Sequence, residues 1–173
     1  IATNYHVVDG ADTLSVAFAD GNAYEATVKG FDENEDLAVV SVATKDVSDD
    51  TMDAISVAKI GSSDDLKIGE QVVAIGNALG YGQSVTFGII SALDREVTLS
   101  TDNGEITQNM IQTDAAINFG NSGGALLDEN GCLIGINSAK ASSTGVEGMG
   151  YAIPINTAKS VIEDLMNQTT RTK

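Results

Sequence analysis

Apolar residues recur at alternate positions, or in short unbroken runs, through most of the 173-residue chain, and the period changes only near its end. Alternating or apolar segments cover Leu14 to Ala19 and Tyr24 to Lys29, divided by Asp20-Gly21, a strong hairpin signal. Asp36-Leu37-Ala38-Val39-Val40-Ser41-Val42 reads as a buried strand introduced by an acid. Strand patterns return at Gln71 to Ile75, Ser84 to Leu93, Met110 to Thr113, Ala125 to Leu127, Leu133 to Asn137 and Met149 to Ile153. Asp102-Asn103-Gly104 and Asn130-Gly131 mark further tight turns. Many short strands punctuated in this way predict an all-β barrel or sandwich. Thr3 to Gly10 reads as a strand end, one turn of helix and a glycine stop, with His6 on the corner. Thr44 to Asp65 is polar and acidic and is expected to connect two lobes. After Pro154, Ala158, Val161, Ile162, Leu165 and Met166 fall on one helical stripe, for which Asn156 or Thr157 is the expected cap. Thr169 to Lys173 reads as the start of a linker. Ile1-Ala2-Thr3 reads as a strand end without a start, so the chain is expected to be a piece of a longer protein.

With 42% apolar residues, 18 Gly and 1 Pro the chain is globular, neither disordered nor fibrous. A formal net charge of −16, with no basic cluster, argues against nucleic-acid or anionic-membrane partners. Cys132 is the only cysteine, which excludes an intrachain disulfide and any cluster of two or more cysteines. It is expected to be a small buried hydrophobe. No apolar run approaches the roughly 18 residues of a membrane span, and no signal peptide is evident. Neither a metal site nor a cofactor is expected.

The segment Phe119-Gly120-Asn121-Ser122-Gly123-Gly124 sets a serine among glycines ahead of the apolar run Ala125-Leu126-Leu127. Such a turn can hold a hydroxyl while its backbone N–H groups point outward, although glycine with Asn and Ser is also ordinary turn chemistry. Amide hydrolysis needs a nucleophile, a base, a group that orients the base, and donors for the oxyanion. Ser122, His6 and Asp36 fit the first three roles in the chain order His, Asp, Ser, which separates the chymotrypsin arrangement from other serine hydrolases. The backbone N–H groups of Gly120 and Ser122, with Asn121 between them, are the expected oxyanion hole. Taken singly, His6 reads more readily as a structural histidine, and Asp36, near Asp32, Glu33 and Glu35, as a solvated loop acid.

Thr3-Asn4-Tyr5-His6-Val7-Val8, Asp36 to Val40, Ile75-Gly76-Asn77 with Gln83-Ser84-Val85-Thr86, and Gln112 to Leu126 together resemble the protease domain of HtrA (DegP-like) serine proteases. The similarity runs over nearly the whole chain. It implies a chymotrypsin-like double β-barrel with a C-terminal helix, the N-terminal barrel lacking its first strands. Residues 1–54 would belong to that barrel, 55–153 mainly to the second, and 154–173 to the helix and linker. It implies an ATP-independent endopeptidase that degrades unfolded polypeptides outside the cytoplasm. His6 would act as base, Asp36 as its orienting acid, Ser122 as nucleophile, and the Gly120 and Ser122 amides as oxyanion donors. Ile117, Ile136, Asn137 and Ser138 match the positions that line the primary specificity pocket, implying preference for small or medium apolar residues. Members often form trimers and carry PDZ domains or a membrane anchor, so the resemblance implies a trimeric parent and leaves this chain a monomer without PDZ domains. Ala78 and Phe119 depart from the commoner proline, or at 119 proline or a basic residue. The rival reading is a protease-fold module that grips peptides without cutting them.

Overall fold

A computed structural model describes residues 1–77, 82–101, 104–141 and 148–168. The chain begins with β1 (Ala2–Thr3), the four-residue helix α1 (Tyr5–Val8), β2 (Leu14–Ala17), β3 (Ala23–Asp32) and β4 (Leu37–Val42). These strands form one open antiparallel sheet in the order β1-β4-β3-β2. A single 3₁₀ turn (Thr44–Asp46) and helix α2 (Asp49–Ala54) follow. Then come β5 (Gln71–Gly76), β6 (Ser84–Thr101), β7 (Gly104–Thr113), β8 (Ala125–Asp128), β9 (Leu133–Asn137), β10 (Gly150–Pro154) and α3 (Ile155–Met166). The last six strands close into a barrel in the order β10-β7-β6-β5-β8-β9. The fold is thus mainly β, with an open half-barrel sheet, a closed barrel and a C-terminal helix, as the chymotrypsin-like reading requires.

Strand β4 shows why the two lobes stay together. Its first four residues are all buried, yet they divide between two cores by the period of two that any strand imposes. Ala38 and Val40 join Val8 in a small core lined by Tyr5, Leu14, Val16, Val28 and Phe31, where the Tyr5 and Phe31 rings stack at 4.7 Å. Leu37 and Val39 face the other way, into a core that contains Met110, Ile136, Tyr151 and Ile153 of the barrel and Ile155, Ala158 and Leu165 of α3. The helix therefore closes the seam between sheet and barrel. A separate cluster, built on Val72, Ile90, Ile111, Leu126 and Ile134, fills the barrel interior.

Three expectations from the sequence need correction. The connection after Thr44 contains α2, whose cap is Ser48, with Thr51 N–H donating to its Oγ at 3.3 Å and two acids in the first turn. The β6–β7 hairpin is much longer than the patterns at 84–93 and 110–113 suggest, pairing out to Thr101 and Gly104. Its far arm lays Val97, Leu99 and Ile106 on the seam, so its alternation continues past Arg95 because it still has a core to cover. Helix α3 starts at Ile155 rather than after Asn156 or Thr157, with Pro154 in the capping position and no side-chain cap. Proline's fixed φ presets the helical entry, and Asn156 is occupied with Ser63, donating its N–H to Ser63 Oγ at 3.1 Å. Cys132 is buried, as expected. The turn at Asp102-Asn103, Ala78 and the segment Thr169 to Lys173 lie outside the described residues. Among the described residues no helix is long and apolar enough to cross a membrane.

Leu165 is 3% exposed at the centre of the seam. Leu165→Ala is expected to cost about 2–5 kcal/mol of stability. Because the seam joins both lobes, chemical denaturation should still show a single transition, moved to lower denaturant.

Candidate active site

The short helix α1 exists because of what surrounds it. A four-residue helix has no independent stability, and here its first amide, Tyr5 N–H, donates to the Asp36 carbonyl at 3.1 Å. Asp36 is 2% exposed and sits at φ +51, a left-handed conformation uncommon outside glycine. Aspartate tolerates it better than most residues. That kink turns the carboxylate back onto the corner of α1, where Oδ1 accepts the His6 backbone N–H at 3.0 Å. His6 Nδ1 lies 2.9 Å from Oδ1 and 2.7 Å from Oδ2. A carboxylate can only accept, so Nδ1 carries the ring proton and Nε2 is left as the basic nitrogen. The His6 side chain is 25% exposed against 4% for Asp36, so the acid is sealed while the imidazole edge reaches solvent.

The glycine-rich turn approaches from the barrel side. Asn121 N–H donates to Asn118 O at 2.9 Å across a turn whose third residue, Gly120, has φ +96. That is the pattern of a type II turn, which requires glycine at that place. Asn121 itself is 2% exposed; its Nδ2 donates to Ala116 O at 3.0 Å and its Oδ1 accepts from Ser84 Oγ at 3.3 Å. Its side chain therefore anchors the turn, and its own N–H is committed to Asn118. The Gly120 and Ser122 amides differ: among the described residues neither has an acceptor. The Gly120 carbonyl is held by Asn77 N–H at 3.2 Å. Two unengaged amides flanking a serine can bind an oxyanion.

The structure brings His6 and Asp36 together and sets Ser122 on its turn, but it does not join Ser122 to His6 by a hydrogen bond. Ser122 Oγ instead accepts the Ala139 N–H at 3.1 Å. The four residues expected at the specificity pocket are all below the surface: Ile117 is 5% exposed, Ile136 3%, and Asn137 and Ser138 0%. Ile136 packs in the seam beside Leu37 and α3, and Ile117 in the barrel core. Asn137 Nδ2 donates to Ala125 O at 2.9 Å and to Ile75 O at 3.2 Å, tying β8 to β5. The side chains of Ile136 and Asn137 thus make interior contacts. Residues 142–147, which follow β9, lie outside the described residues.

Two residues escaped the sequence reading. Ala139 acts through its main chain, which no side-chain pattern reveals. Asn4 is fully buried and bridges the histidine corner to the serine turn. Its only signal was its place two residues before His6. Among the described residues no group of three His, Cys, Asp or Glu side chains could hold a metal.

An open sheet, a closed barrel and a buried acid paired to a histidine opposite a Gly-Asn-Ser-Gly turn define the class of trypsin-like serine peptidase domains. The family model for the trypsin-like peptidase domain matches residues 1–136, and the chain belongs to that family. It is 48% identical over 170 residues to "Serine protease Do-like HtrA" of Bacillus subtilis (strain 168), covering 97% of this chain and 36% of that protein. It is 44% identical over 167 residues to "Protease Do-like 1, chloroplastic" of Arabidopsis thaliana, covering 96% of this chain and 36% of that protein. The chain thus spans well under half the length of these relatives. Among solved structures, "HtrA-type protease AlgW with decapeptide" superposes with a TM-score of 0.79 at 43% identity, over 95% of this chain and 47% of that one.

Glu35, next to the candidate acid, has its carboxyl pushed up from the ordinary value, chiefly by burial and then by the neighbouring Asp32 charge. The folded state thus holds this proton more tightly than the unfolded chain does. Its contribution to stability is full at pH below the unfolded value and is lost as pH rises through the folded one. Glu35→Gln is expected to raise the thermal midpoint at neutral pH, and the difference should shrink to nothing in acid. A midpoint difference that grows as the pH falls contradicts this sign.

Proposed function

We propose that this chain is the catalytic domain of a serine endopeptidase that cleaves unfolded polypeptides, with His6 as general base, Asp36 as its orienting acid and Ser122 as nucleophile. The observation that carries the reading is a buried Asp36 paired with His6, 2.7 Å at its shortest, and bridged through Asn4 to a serine turn whose Gly120 and Ser122 amides are unengaged. A substrate carbonyl seated against the Gly120 and Ser122 N–H groups brings its carbon over Ser122 Oγ. His6 Nε2 takes the hydroxyl proton as Oγ attacks, and Asp36 stabilises the imidazolium. The oxyanion is held by the two amides until the leaving amine takes the proton from His6. Water, activated by the same nitrogen, then releases the acyl group. In the resting arrangement Ser122 Oγ accepts from Ala139 N–H, and its own proton has to be turned toward His6 Nε2 before attack.

Substrate class follows from support of two kinds. Solved neighbours are titled as HtrA-type proteases with a tripeptide or a decapeptide. Position 117 holds isoleucine, and no acid stands there to receive a basic side chain. Ala115 and Gly150 lie against it, a Cβ on Gly150 meeting Ile117 Cγ1 at 2.6 Å, so the surroundings are small and apolar. We therefore assign cleavage after small or medium apolar residues. A relative named "Probable periplasmic serine protease do/HhoA-like" from Haemophilus influenzae, 44% identical, supports an extracytoplasmic setting. The parent protein would be a homotrimer in this reading.

The Ser122–Ala139 hydrogen bond favours one second reading, a module that binds peptides without turnover. An active-site fluorophosphonate separates the two: labelling at Ser122 supports the enzyme, and peptide binding without labelling supports the module. Ser122→Ala is expected to lower hydrolysis of unfolded casein by about 10⁴-fold or more while leaving the fold intact. Undiminished cleavage by that variant sinks the assignment. Cleavage sites mapped by mass spectrometry should follow Val, Ile, Ala or Leu; a majority after Lys or Arg contradicts the pocket reading.

A further inference from the structure

The side chain of Asn4 is completely buried, and both ends of its carboxamide are used. Nδ2 donates to the Asp36 carbonyl at 3.0 Å. Oδ1 accepts the Gly123 N–H at 2.6 Å, across 119 positions of chain. One end thus holds the residue that orients His6, and the other holds the residue that follows Ser122. The two main chains come so close here that a Cβ on Gly123 would collide with Thr3 Oγ1, and Gly123 has φ +78, so only glycine fits.

We propose that Asn4 is a positioning residue that sets the His6–Asp36 pair in register with the Ser122 turn. This rests on the serine-protease reading of the site. The carboxamide is suited to the task because it offers a donor and an acceptor from one rigid plane. An aspartate would keep the bond to Gly123 but set a carboxylate oxygen against the Asp36 carbonyl. Glutamine would carry the carboxamide one methylene further, out of register with both partners. Apart from a hydrogen bond in the far arm of the β6–β7 hairpin, where Gln108 Nε2 donates to Asn34 O at 2.6 Å, the contacts between the lobes run through α3 and the apolar seam, and apolar packing is not directional. A short hydrogen-bonded bridge fixes distance and angle where packing alone leaves tolerance, and a misplacement of about 1 Å in such a site can cost on the order of 100-fold in rate.

The same bonds that make Asn4 a bridge also make it testable. If it is replaced by leucine, whose side chain has the same branching and number of heavy atoms, neither partner is orphaned: the Asp36 carbonyl keeps Tyr5 N–H at 3.1 Å, and Gly123 N–H keeps Asn137 O at 3.0 Å. Asn4→Leu should therefore fold, with the directional tie removed. In the full 173-residue chain, the variant is expected to lower kcat on a peptide substrate, and the rate of fluorophosphonate labelling at Ser122, by about 100-fold with KM within about threefold. Val28→Ala, which trims the small core of the open sheet, serves as the control: it should lower the thermal midpoint yet leave kcat unchanged. His6 is the sole histidine, so the NMR signal of its Nδ1 proton reads the Asp36 pairing without ambiguity. In Asn4→Leu that signal should shift and exchange faster with water.

A folded Asn4→Leu variant that labels and turns over within about twofold of the native chain overturns the proposal. So does a loss that only follows the folded fraction, as in the Val28 control. If the native chain itself fails to label, the protease reading falls, and Asn4 is then judged by the His6 signal alone. A response to Asn4→Leu sustains the positioning role, and an unchanged signal ends it.

Discussion

A carboxylate that is almost completely buried has to be surrounded by donors, and at Asp36 this requirement organises the whole N-terminal corner. Its Oδ1 takes the His6 main-chain N–H and both oxygens lie against His6 Nδ1. Its carbonyl takes Tyr5 N–H and Asn4 Nδ2. Four donors from three consecutive residues, Asn4, Tyr5 and His6, converge on one residue, and a turn of helix is the backbone shape that lets them. The positive φ of Asp36 is the strained element, and the hydrogen bonds it permits offset that strain. Imidazole orientation is thus fixed by the same contacts that make the local fold, so displacing the acid would unwind α1 as well as release the ring.

The corner would still drift relative to the serine turn if the two lobes were independent. They are not, because β4, which begins one residue after Asp36, is buried on both faces. Its Leu37 and Val39 share a core with Ile136 of β9, and β9 runs directly into the Asn137–Ala139 segment that touches the serine turn. Helix α3 covers this seam, so apolar burial holds the lobes at the right separation over a broad area. The hydrogen bonds at Asn4 and Gly123 then act at a single point. Packing supplies strength and the polar bridge supplies direction, which is the usual division between non-directional and directional forces.

Much of this was legible in the chain. Alternation found every strand of both lobes except the two-residue β1, which showed only as a strand end, and the helical stripe found α3 because Ala158 and Leu165 are core residues with period 3.6. His6, Asp36 and Ser122 were legible as residue types in a telling order, and the structure brings the first two into contact. What stayed hidden has physical causes. Main-chain donors such as Ala139 N–H leave no mark on residue identity. Asn137 was assigned to the pocket through the family resemblance alone, and nothing in the sequence marks that its side chain satisfies two buried carbonyls. The extra length of the β6–β7 hairpin was masked by its polar outward residues, whose partners Val97, Leu99 and Ile106 find their core only through tertiary contact. Helix α2 could have been found from Ser48 and the acids behind it, but its weak apolar content gave no periodicity.

Under the proposed mechanism, the resting position of Ser122 bears on how the nucleophile is brought into line. Oγ accepts from Ala139 N–H, which uses a lone pair and leaves the hydroxyl proton without a fixed acceptor. In the proposed reaction that proton turns toward His6 Nε2, and since a hydrogen bond of this kind contributes about 1 kcal/mol net, a bound peptide needs to add only a modest bias to favour the reactive arrangement. A carbonyl entering between the Gly120 and Ser122 amides supplies that bias, because it fills the two donors left unengaged in the resting turn. In that proposal, binding of the scissile group and alignment of the nucleophile are one event, and the site would be at its most reactive only when the bond to be cut is in place.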